Sequence, residues 1–174
     1  MKTQFAVPLV LLLAAATGCT RSPDAQSTST PTAGVSKAPP VTWSIDPLSA
    51  PITASPASVR IHGRINTGWH IYSTTQPAGG PIATRITVPD GQPFVGAGKP
   101  TSVAAPIVTY DDAFRMKVEE HTKDIEFVVP VRAASPVTPG DSVRINVRYQ
   151  VCNDSLCYPA QTARLAAAVP ARRT

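Results

Sequence analysis

The middle and end of the chain alternate apolar and polar positions in short runs. Val59, Ile61, Gly63 and Ile65 are interleaved with Arg60, His62, Arg64 and Asn66. A period of two gives a strand one buried and one wet face. The same alternation marks residues 84–88, 114–118, 125–129 and 143–149. Turn formers separate the runs at Gly79-Gly80-Pro81, Pro89-Asp90-Gly91 and Pro139-Gly140-Asp141, where the chain must reverse direction. No run carries a convincing helical period, and the 19 prolines suit strand edges and loops rather than helices. Seven or more short strands without a helix predict an all-β, antiparallel sandwich of two sheets.

The first residues follow another rule. Lys2 precedes an apolar run over residues 5–16, and the small residues Thr17-Gly18 lead to Cys19. Twelve apolar positions are fewer than the ~20 that a spanning helix needs, so residues 1–18 read as a secretory signal. Ala16-Thr17-Gly18-Cys19 resembles a bacterial lipobox, in which the cysteine is lipidated and becomes the mature N-terminus. Plain secretion with a bystander cysteine is the alternative. Thr20 stands where an inner-membrane retention signal would place Asp, and that resemblance favours the periplasmic face of the outer membrane. Residues 20–40 are mostly Ser, Thr, Pro and Ala, too polar to pack. With Cys19 they form a tether over 19–40, whose flexible reach is about 25 Å, and residues 41–174 form the domain.

Charge adds mainly exclusions. The net charge of +5 falls by one when the segment holding Lys2 is removed, and the basic residues are scattered. Nucleic-acid binding has no footprint here, and Arg172-Arg173 reads as a solvated end. No Gly-x-Ser-x-Gly and no phosphate-binding glycine loop is present; Gly96-Ala97-Gly98-Lys99 lacks either nucleotide spacing. No cofactor is implied. His62, His70 and His121 lack the spacing of a zinc or copper site, so no metal is expected. Asp111-Asp112 and Glu119-Glu120 are neighbours along strands or turns, which sends each member of a pair to a different face.

The chemistry lies in Cys152 and Cys157. Their segment, Tyr149-Gln150-Val151-Cys152-Asn153-Asp154-Ser155-Leu156-Cys157-Tyr158-Pro159, continues the last alternating strand into a turn rich in Asn, Asp and Ser. Setting Cys19 aside leaves one even pair in an exported chain, where an oxidising compartment favours a disulfide. Facing strand residues are close enough to be bridged, with ~5.5 Å between Cα atoms at a hydrogen-bonded pair. Parity along the strand sets Val143, Ile145, Val147, Tyr149 and Val151 on the buried face. It sets Cys152 with Arg144, Asn146, Arg148 and Gln150 on the wet one, where an exchange partner can reach sulfur. Asp154 between the cysteines disfavours a thiolate by like-charge repulsion.

Gly68-Trp69-His70-Ile71-Tyr72, Gly79-Gly80-Pro81-Ile82-Ala83-Thr84-Arg85 and, above all, the cysteine segment resemble the amino-terminal periplasmic domain of the thiol-disulfide interchange protein DsbD. The likeness runs from about Trp43 to Val169. It implies an immunoglobulin-like sandwich whose one disulfide relays electrons from a membrane thiol reductant to periplasmic thioredoxin-fold proteins of the disulfide isomerase or cytochrome c maturation type. It implies that Cys152 and Cys157 are the redox pair, with Cys157 as the sulfur linked to the partner. It also implies a capping loop with an aromatic side chain, for which Tyr110 and Phe114 are the candidates. In the full-length relay a membrane domain and a thioredoxin-like domain follow this module. Here residue 174 is the last, so the electron source is expected to be a separate protein. Pro159-Ala160 stands where many relatives carry two prolines.

Two functions fit these residues. One is a lipid-anchored thiol-disulfide oxidoreductase, a reductase relay module. The other is a non-catalytic sandwich that binds a protein partner and uses its disulfide only as a staple.

Overall fold

Side-chain alternation becomes sheet architecture wherever two strands can share a buried face. A computed structural model describes residues 39–170; the expected signal segment, Cys19, nearly all of the expected tether and Arg172-Arg173 lie outside the described residues. The described residues form twelve strands and no helix: β1 (Val41–Ile45), β2 (Ala57–Ile65), β3 (His70–Tyr72), β4 (Arg85–Thr87), β5 (Phe94–Gly96), β6 (Thr101–Ser102), β7 (Ile107–Asp111), β8 (Met116–His121), β9 (Ile125–Ala133), β10 (Ser142–Tyr149), β11 (Val151–Cys152) and β12 (Gln161–Ala168). One sheet runs β1-β2-β9-β5, with β6 also on β9; a second runs β12-β10-β4; a third runs β11-β3-β8-β7. Every pairing is antiparallel. The fold is an all-β, immunoglobulin-like sandwich.

The core is built from the inward half of each alternation. Val59, Ile61, Phe127, Val129 and Val131 of the first sheet share one cluster with Val143, Ile145 and Val147 of the second and Ile71 and Val151 of the third. Each fully buried side chain of this kind contributes about 1.5–3 kcal/mol. Gly63 occupies an inward position without filling it. Its register partner is Trp43, and a Cβ on Gly63 would stand 3.0 Å from the Trp43 ring, so the missing side chain makes room for the indole. Gly91 and Gly140, in two of the expected turns, have φ of 74° and 100°, where a side chain would be strained.

Two expectations need correction. Residues 114–118 do not form a strand throughout: Phe114 and Arg115 belong to the β7–β8 turn, and β8 begins at Met116. Arg115 has φ of 57°, the left-handed conformation that closes a four-residue hairpin loop. The Asp111 carboxylate fixes that loop, because its Oδ1 accepts from the backbone N–H of Ala113 at 2.9 Å and of Phe114 at 3.1 Å. The last alternating strand is likewise not continuous. It leaves the second sheet after Tyr149 and enters the third at Val151, and the Gln150 side chain spans the gap. Gln150 Oε1 accepts from Ile82 N–H at 3.0 Å, and Gln150 Nε2 donates to the Tyr158 carbonyl at 3.4 Å.

Candidate functional site

Cys152 and Cys157 are joined in a disulfide across a short hairpin. Asn153 shapes its tip: Oδ1 accepts from the N–H of Ser155 at 2.9 Å and of Leu156 at 2.8 Å, a side-chain turn that Asn is suited to make. Backbone bonds run from Asn153 N–H to the Leu156 carbonyl at 2.8 Å and from Tyr158 N–H to the Val151 carbonyl at 2.9 Å. The cysteines lie between these bonded pairs and are therefore a non-hydrogen-bonded pair rather than the bonded one expected. Facing Cα atoms are closer at such positions, and here they are 4.1 Å apart. At the base of the hairpin, Tyr158 stacks on Trp69 with ring centroids 5.4 Å apart.

The alternation carries through to Cys152, which faces away from Val151 and the main core. Its surroundings are not wet. Cys152 is 1 % exposed, in a second small cluster with Tyr72 and Val118, against which Phe114 and Met116 pack. The β7–β8 turn folds over the outer sheet face at this point and covers it, which simple parity cannot foresee. Cys157 is exposed. The sulfur a partner can reach is thus that of Cys157.

Phe114 stands edge-on to Tyr72, with centroids 6.3 Å apart. Tyr110 is 58 % exposed. It pairs with Lys117 in the register, which puts its side chain on the sheet face opposite Asp111, Glu120 and Cys152. Of the two aromatic candidates, only Phe114 packs on the cysteine cluster.

Register brings further groups to the disulfide that sequence reasoning missed in this role. His70 is the pairing partner of Cys152, and Tyr72 pairs with Glu120, so all four share one face. His70 Nε2 lies 3.2 Å from the Tyr72 hydroxyl and 3.7 Å from Glu120 Oε2. The Tyr72 phenol is held well above its ordinary range, first by burial, then by the negative charges of Asp111 and Glu120; it stays protonated. Glu119, the neighbour of Glu120, points to the other face, where its carboxylate accepts from Thr75 Oγ1. The spacing His70-x-Tyr72 was the available signal, since two polar rings on one strand face must meet something. Among the described residues no three His, Cys, Asp or Glu side chains converge as a metal site.

A cleft of about 570 Å³ opens over the disulfide, lined by both cysteines, His70, Tyr72, Phe114 and four carboxylates. A disulfide with Cys157 exposed and Cys152 packed under an aromatic ring presents one sulfur that can undergo thiol exchange.

The family model described as "Thiol:disulfide interchange protein DsbD, N-terminal" matches residues 43–168. The chain belongs to the DsbD amino-terminal domain family. Among solved structures, the DsbD amino-terminal domain of Neisseria meningitidis in its reduced form is 15 % identical, with 67 % of this chain and 81 % of that chain covered and a TM-score of 0.46. A family 123 glycoside hydrolase from Clostridium perfringens is 10 % identical, with 74 % of this chain and 27 % of that chain covered and a TM-score of 0.32. No curated protein matches. The assignment rests on the sequence match, and the cysteine hairpin lies inside it. DsbD membership and the Cys152–Cys157 disulfide fit a thiol-disulfide exchange module of a periplasmic family.

Proposed function

We propose that this DsbD-like domain is a periplasmic electron relay, lipid-anchored through Cys19 after removal of residues 1–18 and held on the outer membrane by the 19–40 tether. The observation that carries the reading is the asymmetry of the disulfide: Cys157 is open to solvent, and Cys152 is sealed under the Phe114 turn. A purely structural bond has no need of one reachable sulfur. Its value as a staple is also modest, because a bridge separated by five positions closes a small loop, worth about 2 kcal/mol by loop entropy against about 4.7 for a 100-residue loop.

In the relay, a membrane thiol reductant supplies electrons and thioredoxin-fold proteins of the isomerase or cytochrome c maturation type receive them. The donor's thiolate attacks Cys157 Sγ, forming a mixed disulfide and breaking the Cys152–Cys157 bond. Cys152 leaves as a thiolate and takes up a proton. The donor's second thiolate then displaces Cys157, so two donor thiols are oxidised to a disulfide and this disulfide is reduced to two thiols. Delivery to an oxidised acceptor runs the same steps in reverse. Phe114 caps the bond until a partner displaces it.

The test is covalent trapping with oxidised thioredoxin-fold proteins. Cys152→Ala should accumulate a mixed disulfide through Cys157 because the resolving thiol is gone, whereas Cys157→Ala should trap little. Negligible trapping by both variants across a broad partner set would reduce the bond to a staple. Trapping only through Cys152 would keep the relay and exchange the two roles.

A further inference from the structure

Resting on the relay reading, the geometry points to an electronegative docking face around Cys157 that selects protein thiols carried on a cationic, partly apolar rim. The chain as a whole is basic, with 16 Lys and Arg against 11 Asp and Glu. Yet the cleft over the disulfide is lined by Asp111, Asp112, Glu120 and Asp154 and by no Lys or Arg. The charge of the molecule is therefore reversed at Cys157, the solvent-exposed cysteine of the described residues.

The cations of the adjoining turn and of β8 lie outside the cleft lining. Arg115 follows Phe114 in the turn but does not line the cleft, and Lys117 pairs with Tyr110 on the far face of the sheet. His70 faces Glu120 at 3.7 Å and, when protonated, offsets one carboxylate of the four. The face is not purely polar. Leu156, the neighbour of Cys157, is 47 % exposed, and Ile107, the register partner of Glu120, is 51 % exposed. Singly exposed apolar side chains are ordinary; these two flank the charged band on the face that holds the exposed sulfur. The combination of an accessible disulfide, an acidic band and two apolar contacts describes a protein-docking face rather than a small-molecule site.

The chemistry of attack makes the charge matter. Any reductant must bring a thiolate to Cys157 Sγ, and the transition state spreads negative charge over three sulfurs close to these carboxylates. An anionic thiol is repelled twice, once for its thiolate and once for its own carboxylate or sulfonate. A thiol surrounded by Lys, Arg or amine groups arrives neutralised and is drawn in. The acidic rim so excludes anionic small thiols and admits a partner with a basic collar around its cysteine.

The test uses the oxidised protein and three probe thiols compared at equal thiolate concentration: cysteamine, neutral 2-mercaptoethanol and anionic 2-mercaptoethanesulfonate. In each reaction one thiolate forms a mixed disulfide at Cys157 and releases Cys152. A second thiolate attacks the probe's sulfur, giving the probe disulfide and two protein thiols once protons are taken up. At low ionic strength cysteamine should react about tenfold faster than the sulfonate, and the gap should shrink to about twofold near 0.5 M salt. Asp112 and Asp154 are both exposed, so Asp112→Asn with Asp154→Asn should keep the thermal unfolding midpoint and lose most of the low-salt preference. Equal rates for the three probes at low salt would overturn the inference and leave the relay intact, since the relay stands or falls on covalent trapping through one cysteine or the other. A preference unchanged by salt and by the double variant would overturn it as well.

Discussion

Cys152 and Cys157 share one covalent bond and stand in opposite environments, the first buried beneath Phe114 and the second exposed to solvent. After reduction that difference should appear as unequal reactivity. Iodoacetamide should label Cys157 at least about tenfold faster than Cys152, because alkylation requires access as well as thiolate character. Peptide mass analysis of briefly labelled protein reads the ratio directly. Equal labelling would mean that the Phe114 turn does not shield Cys152 in the reduced state.

Removing the ring that packs on the cluster should open the site. Phe114→Ala should speed reduction by dithiothreitol about two- to tenfold, the range that a sulfur-aromatic contact of about 0.3–1.5 kcal/mol allows. Tyr110→Ala should leave the rate unchanged, because Tyr110 projects from the other face. Stopped-flow reduction of the two variants separates the candidates. A faster rate from Tyr110→Ala alone would move the cap to that residue.

His121 makes stability depend on pH. It is 5 % exposed, its ring meets the Phe127 edge with centroids 6.0 Å apart, and its buried Nε2 has no hydrogen-bond partner. Burial pushes its pKa below the ordinary 6.5, only partly opposed by Glu119. The sign follows from proton uptake. Above pH 6.5 both folded and unfolded chains carry neutral imidazole and the term is flat. Below it the unfolded chain binds a proton that the folded chain refuses, so stability falls as pH drops, by at most about 1.4 kcal/mol per unit. Urea midpoints between pH 7.5 and 5.5 should show this loss, and His121→Leu should remove that part of the slope. A slope identical in the variant would exclude His121 as its source.

The proposed anchor has its own readout. Protein extracted from membranes should begin at Cys19 with a diacylglyceryl mass addition, and Cys19→Ser should release the protein to the soluble periplasmic fraction. Intact-mass analysis distinguishes this from cleavage elsewhere without acylation.

The strands with β-branched or aromatic residues at every second position were legible from the chain: residues 143–149 and 125–129 lie within β10 and β9 as the alternation requires. β12 was not. Its inward positions are Ala163, Leu165 and Ala167, and an Ala-rich run carries little strand signal. The break at Gln150 was hidden for a different reason: the alternation continues across it from Tyr149 to Val151, while the hydrogen-bonding partners change from β12 and β4 to β3. Pairing partners remote in sequence leave no trace in periodicity. For the same reason alternation places Cys152 on the correct side of its strand but in water rather than in the shelter of Phe114, and it does not gather His70, Tyr72 and Glu120 around it. The cysteine spacing and its turn residues are local features, and they were readable.

One property of the cysteine hairpin reaches beyond its geometry. Its two backbone bonds, Asn153 to Leu156 and Tyr158 to Val151, bracket the sulfurs without involving either cysteine. Severing the disulfide therefore removes no rung of the ladder, and the freed thiols remain neighbours in a frame that Trp69 and Tyr158 clamp at its base. Oxidised and reduced forms can share one backbone, so breaking and remaking the bond does not require the hairpin to refold.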